Sequence, residues 1–210
     1  MLDFYYHPLS LYCVKVKWFL EEYLISHRAI PVDLTSPVHE ASFGLGLAPT
    51  AKVPFIVSDD FRLAESNAIL RYLCDRYGVF SAYPVNLEAR AGIDQWMDYL
   101  TQHIAEPISD LIWYRGWAPR FGQPRKLDLE ERALHIFERN ISRVEQHLSQ
   151  SSKFFMGPTP SLPDFVFAPF AVTAPKADID LERYPAISRW RKEMLSLKSA
   201  APIMAGLTLA

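Results

Sequence analysis

Residues 51–72, Ala-Lys-Val-Pro-Phe-Ile-Val-Ser-Asp-Asp-Phe-Arg-Leu-Ala-Glu-Ser-Asn-Ala-Ile-Leu-Arg-Tyr, leave the rest of the chain few folds to choose from. Phe55-Ile56-Val57 is a short apolar run suited to a buried strand. Ser58-Asp59-Asp60 is turn chemistry, so Phe61-Arg62-Leu63-Ala64 returns as the second arm of a hairpin. Ser66 suits a helix N-cap, with Ala68, Ile69, Tyr72 and Leu73 on one face behind it. Two features exceed what a hairpin and a helix require. Pro54 opens the strand from a turn, the setting of cis prolines, and a cis Val53-Pro54 bond turns the N–H and C=O of Val53 outward, where an extended peptide can pair with them. Glu65-Ser66 stands at a helix start, where free N–H groups and the macrodipole attract a carboxylate. Together they predict a site for a small peptide carrying a free α-carboxylate; taken singly, each is also what an ordinary strand-opening proline or N-cap looks like.

The chain before this stretch supplies the rest of one domain. Leu2-Asp3-Phe4-Tyr5-Tyr6 reads as a first strand ended by His7-Pro8, and Val16, Phe19, Leu20 and Tyr23 then recur at helical spacing. Residues 28–32 form a second short strand, and residues 33–50 an irregular segment with one turn of helix. The resulting order, βαβαββα over residues 1–78, predicts a thioredoxin-like α/β half closed by Gly78. Residues 79–86 have linker composition, and residues 87–210 read as an all-α domain. Its apolar stripes are Ile93, Trp96, Met97, Leu100 and Ile104, then Leu129, Ala133, Ile136, Phe137, Ile141, Val144 and Leu148. Residues 113–126, rich in aromatics, Gly, Pro and Arg, read as a loop. Ser161-Leu162-Pro163-Asp164 is a capping box with Asp in place of Glu. Tyr184-Pro185 starts a last amphipathic helix that buries Trp190 and Met194.

Charge and cysteine usage narrow the function. A net charge of −2 without a long basic run argues against nucleic acid as the main partner. Two cysteines, Cys13 and Cys74, are too few for a disulfide framework or a zinc site and suit a reducing compartment. With a strand expected from Leu2 and no stretch long enough to span a membrane, the expected location is the cytoplasm.

Lys52-Val53-Pro54 followed by Glu65-Ser66-x-Ala68-Ile69-x-x-Tyr72-Leu73 resembles the glutathione-binding half of the glutathione S-transferase family. The second half is similar too, through Phe154-Phe155-Met156-Gly157 before Ser161-x-x-Asp164 and through Tyr184-Pro185 with Trp190. The resemblance implies that Val53, next to a cis Pro54, pairs with the cysteinyl backbone of glutathione, and that Glu65 and Ser66 hold its γ-glutamyl end. By the theta-like pattern His39, fifteen positions before Pro54, meets the glycine carboxylate, and Lys52 reaches the same group as a point charge. Ala48 and Ala51 depart from the usual Asn and Gly at their positions.

A free thiol with a pKa of about 8.5 is only about 3% thiolate at pH 7. A serine hydroxyl and a helix N-terminus are of the right size to favour the anion. In theta-like, zeta-like and bacterial serine-type branches a serine between the first strand and the first helix has that task, which places it on Ser10. Two rivals stand nearby: Tyr6, whose phenol has this role in other branches, and Cys13, on which the dipole of a helix start would act. The family layout further implies an electrophile pocket between the halves, lined by Tyr6, Tyr99, His103, Trp113 and Trp117. Arg115 and Arg120 are candidates for an anionic group on the substrate. It also implies a homodimer, with Asp94 toward the partner's γ-glutamyl amine. The reaction implied is attack of activated glutathione, as co-substrate, on a hydrophobic electrophile. The alternatives are an isomerase resembling maleylacetoacetate isomerase, whose Ser-Ser-Cys is here Ser10-Leu11-Tyr12, or a non-enzymatic ligand carrier.

Overall fold

A computed structural model of the chain describes residues 1–33 and 52–208. It divides into two compact units, Met1–Tyr83 with Leu197–Ala210, and Pro84–Ser196. The first is thioredoxin-like: β1 (Leu2–Tyr6), α1 (Leu11–Glu22), β2 (His27–Pro31), β3 (Phe55–Ser58), β4 (Phe61–Ala64) and α2 (Ser66–Tyr77). The four strands lie in the order β2-β1-β3-β4, with β1 parallel to β2 and antiparallel to β3, and β4 antiparallel to β3. Leu2, Phe4, Phe55 and Ile56 of the two central strands are buried, which is why these strands are the most apolar. On the edge, Arg28 of β2 forks onto its register partner Asp3 at 2.9 and 2.5 Å. Gly78 ends α2 in the left-handed conformation, φ 68°, a backbone state that glycine adopts without a Cβ penalty. The segment 34–51, with His39, Ala48, Ala51 and the helical turn expected there, lies outside the described residues.

The apolar spacing of α1 predicts one buried face, and Val16, Phe19 and Leu20 are indeed buried. Cys13, Val14, Lys15 and Trp18 are buried as well, because α1 is covered from more than one direction. α2 packs on it, and so does a further helix, α8 (Ala200–Thr208). The indole N–H of Trp18 donates to Ser199 Oγ at 3.0 Å, and Ser199 donates on to Glu22 Oε2 at 2.5 Å. The helix starting at Pro185 is therefore not the last one, and the chain end belongs with the first unit.

The second unit contains α3 (Leu87–Leu100), α4 (Glu106–Ile112), α5 (Leu127–Gln150), α6 (Leu162–Thr173) and α7 (Pro185–Leu195). Residues 113–120, expected as a loop, continue the helical path instead. Five-residue π-helical turns at Thr101–Ala105 and Trp113–Trp117 make this possible. Each closes with an i to i−5 bond, Glu106 N–H to Thr101 O and Ala118 N–H to Trp113 O. Each is followed, one residue on, by a proline, Pro107 or Pro119, whose missing N–H a widened turn accommodates. α6 is buried on nearly every side, as its uniformly apolar sequence requires. Its start is fixed by Asp164, whose carboxylate accepts Ser161 N–H at 2.8 Å, Ser161 Oγ–H at 2.7 Å, Phe155 N–H at 3.0 Å and Trp190 Nε1–H at 2.7 Å.

Candidate functional site

The strand registers bring three separate pieces of sequence to one end of the sheet. Tyr5 lies opposite Phe55, and Phe55 opposite Ala64. The C-terminal ends of β1 and β4 therefore flank the N-terminal end of β3. The turn from Tyr6 to Ser10, the Val53-Pro54 bond and Glu65-Ser66 leave the sheet side by side.

Ser10 is the N-cap of α1, in extended conformation, and its Oγ accepts Cys13 N–H at 3.4 Å. Its carbonyl takes the first helical bonds, from Cys13 N–H and Val14 N–H at 2.9 Å each. Capping uses only the oxygen, so the hydroxyl proton remains available to a ligand atom. The cap and the activating donor are compatible roles for this side chain.

Val53-Pro54 is cis. Pro54 is buried while Lys52 is exposed. The N–H and C=O of Val53 have no hydrogen-bond partner among the described residues.

The start of α2 differs from the expected one. The N-cap is Glu65, and Ser66 is the first helical residue. Glu65 has φ 66° and ψ 108°, its side chain makes no capping bond, and its carbonyl accepts Ile69 N–H at 2.9 Å. A non-glycine residue held there costs about 1–3 kcal/mol, and such residues gather at ligand sites. Nothing in the composition around Glu65 signals this conformation. Because the exposed Glu65 makes no side-chain capping bond, the nearly buried Ser66 stands at a helix start whose dipole favours an outside anion.

The two rivals of Ser10 are placed differently. Cys13 is 1% exposed and free of any disulfide. Burial raises its thiol pKa to about 11, against smaller lowering effects from Ser10 and from the His7 N–H, which lies 3.4 Å from Sγ. It stays a neutral, packed thiol, because desolvation outweighs those two hydrogen bonds. Tyr6 stacks on Phe4 at 5.5 Å, with Lys17 Nζ 5.5 Å from its ring centre.

Tyr6 also borders a cavity of about 610 Å³, formed wholly within the first unit. The His7–Leu9 turn, Cys13, Val14 and Lys17 of α1, and Ile203, Gly206 and Leu207 of α8 complete its wall. Burial lowers the pKa of His7, against a smaller raising effect of Asp33. Its Nδ1 accepts Leu9 N–H at 3.3 Å, so the ring carries its proton on Nε2. Val14, Lys17 and the α8 residues are not legible as lining from sequence, since α8 lies far along the chain and no local pattern announces its return.

The aromatic candidates of the second unit are engaged within it. Tyr99 donates its hydroxyl to Asn140 O at 3.0 Å and rests against His103, ring centres 5.0 Å apart. Burial raises the pKa of its phenol. Trp113, 42% exposed, and Trp117 both stack on Phe121. Arg115 is no free anion receptor: it donates to Glu130 Oε2 at 3.2 Å and to Ala177 O at 2.5 Å. Arg120 lies over the Trp117 ring at 5.2 Å.

Comparison with known proteins identifies the family. The family model "Glutathione S-transferase, N-terminal domain" matches residues 9–76, and "Glutathione S-transferase, C-terminal domain" matches residues 105–198. The chain is 30% identical over 154 residues to glutathione S-transferase F9 of Arabidopsis thaliana, covering 70% of this chain and 68% of that one. It is 28% identical over 196 residues to human glutathione S-transferase theta-1, covering 92% of this chain and 82% of the relative. In fold it is similar to glutathione transferase F2 from Populus trichocarpa, with a TM-score of 0.88 over the full length of both chains at 24% identity.

Proposed function

This chain belongs to the glutathione S-transferase family, and we propose that it activates the glutathione thiol through Ser10 for attack on a hydrophobic electrophile. The observation that carries the reading is the shared sheet end, where the Ser10 cap, the Val53 backbone (without a partner among the described residues) and the start of α2 at Glu65-Ser66 stand together. Val53 pairs with the cysteinyl backbone of glutathione, Ser66 and the α2 N–H groups take its α-carboxylate, and Glu65 its amine. His39 and Lys52 are assigned to the glycine end. The thiol then lies over the start of α1.

The thiol proton leaves to solvent, and the Ser10 hydroxyl donates to the sulfur anion that remains. Sulfur forms a bond to the electrophilic carbon, and the leaving group departs with its electron pair. Lowering the thiol pKa by about two units takes roughly 2.7 kcal/mol, the size of one charged hydrogen bond plus a helix dipole. The electrophile occupies the cavity beside Tyr6, whose volume of about 610 Å³ suits a small molecule. Tyr99, His103 and Trp113 are assigned to the electrophile as well, through aromatic faces rather than through the reacting sulfur. The chain works as a cytoplasmic homodimer; two free, buried cysteines suit a reducing compartment.

The test is the ultraviolet thiolate absorbance of bound glutathione against pH. The bound thiol should titrate well below about 8.5, and Ser10→Ala should return it toward that value with kcat reduced by about 10²-fold. An unshifted thiol in the wild-type chain overturns the assignment of Ser10.

A further inference from the structure

Lys15, on α1, is buried at 1% exposure. A buried ammonium is costly unless something repays the lost hydration. On α1, the Tyr12 ring lies 5.4 Å from Nζ. Across from it is the start of α2, where Asn67 Oδ1 accepts from Nζ at 2.6 Å and the charges of Glu65 and Arg71 act on it in opposite senses. Three N–H donors thus have a single hydrogen-bond acceptor among the described residues, which as a purely structural arrangement is poor. Asn67 follows directly on Glu65 and Ser66, the residues in the strained, open helix start.

We propose that Lys15 is a positioning residue for the γ-glutamyl end of glutathione, holding Asn67 from beneath and supplying the buried positive charge that an incoming α-carboxylate completes. The inference rests on the assignment of Glu65 and Ser66 to that end. An anion arriving above α2 favours the charged form of Lys15, so binding draws a proton onto it wherever the empty site holds it partly neutral. Desolvation lowers its pKa to about 7, which places that uptake in an accessible range.

S-hexylglutathione is the probe, because its blocked sulfur removes thiol ionisation from the proton balance. Calorimetric titration at about pH 8, in two buffers of different ionisation enthalpy, gives both affinity and protons taken up. The wild-type chain should take up a fraction of a proton. Lys15→Met should bind about ten-fold more weakly and keep only the smaller uptake due to the ligand's own α-amine. Lys15→Arg, whose guanidinium stays charged, should recover affinity and show the same reduced uptake. Uptake as large in Lys15→Arg as in the wild-type chain overturns the role, and so does wild-type affinity in Lys15→Met; the Arg variant decides alone if the Met variant does not fold. Failure of the wild-type chain to bind the probe overturns the glutathione assignment itself and this inference with it.

Discussion

Two buried ionisable residues carry opposite costs. Asp164 is fully buried and receives four donors, so its charge is well met although burial by itself raises its pKa. Asp164→Ala leaves those N–H and O–H groups unpaired and should cost about 3–5 kcal/mol, read as a fall in Tm of roughly 6 °C or more. Lys15 is the reverse case. Its folded pKa of about 7 lies below the ordinary 10.5, so between these values the unfolded chain binds more protons and stability rises with pH. The burial penalty is fully present below about 7 and fades as pH climbs toward 10.5. Lys15→Met should therefore be the more stable protein at neutral pH, by on the order of 3 kcal/mol, and lose that advantage by about pH 10.5. Denaturant unfolding of both proteins at several pH values checks this. A variant that is more stable yet binds the γ-glutamyl end more weakly is what a functional buried charge predicts.

At the scale of elements, helix starts are met in three different ways. α1 is capped locally by Ser10, as its sequence indicates. α6 is capped by Asp164 within its own first turn, also legible. α7 has no capping side chain of its own. Glu145 on α5 reaches across instead, its two oxygens accepting Ala186 N–H and Ile187 N–H at 2.9 Å each. No spacing rule connects residues so far apart in the chain. Glu145→Ala should cost about 1–2 kcal/mol, and thermal unfolding should show it, with Glu145→Gln losing less. The continuous helical path through Pro107 and Pro119 was illegible for a related reason. Proline marks a break in sequence, and only neighbouring helices make the widened π turns worth forming.

At the scale of the whole molecule, the chain begins and ends in the same unit. Deleting residues 197–210 should uncover Trp18 and remove the Ile203 and Leu207 wall of the cavity. Steady-state kinetics should then show the KM for the electrophile rising about ten-fold while the KM for glutathione stays within about two-fold. A loss of both in equal measure would place the glutathione site itself on the chain end.

What the sequence by itself determined is the local grammar: strands, turns, caps and the cis-proline hairpin leading into Glu65-Ser66, because propensity, capping and periodicity act within a few residues. It also carried enough of the family's spacing to propose a site at Ser10, Val53 and Ser66. Only the tertiary structure decided that Cys13 is a neutral thiol, that Lys15 is buried under the start of α2, that Glu65 takes a left-handed backbone, and that α8 returns to wall the cavity. Each depends on desolvation or on a partner distant in the chain, and burial is a property of the packed molecule that no window of sequence contains.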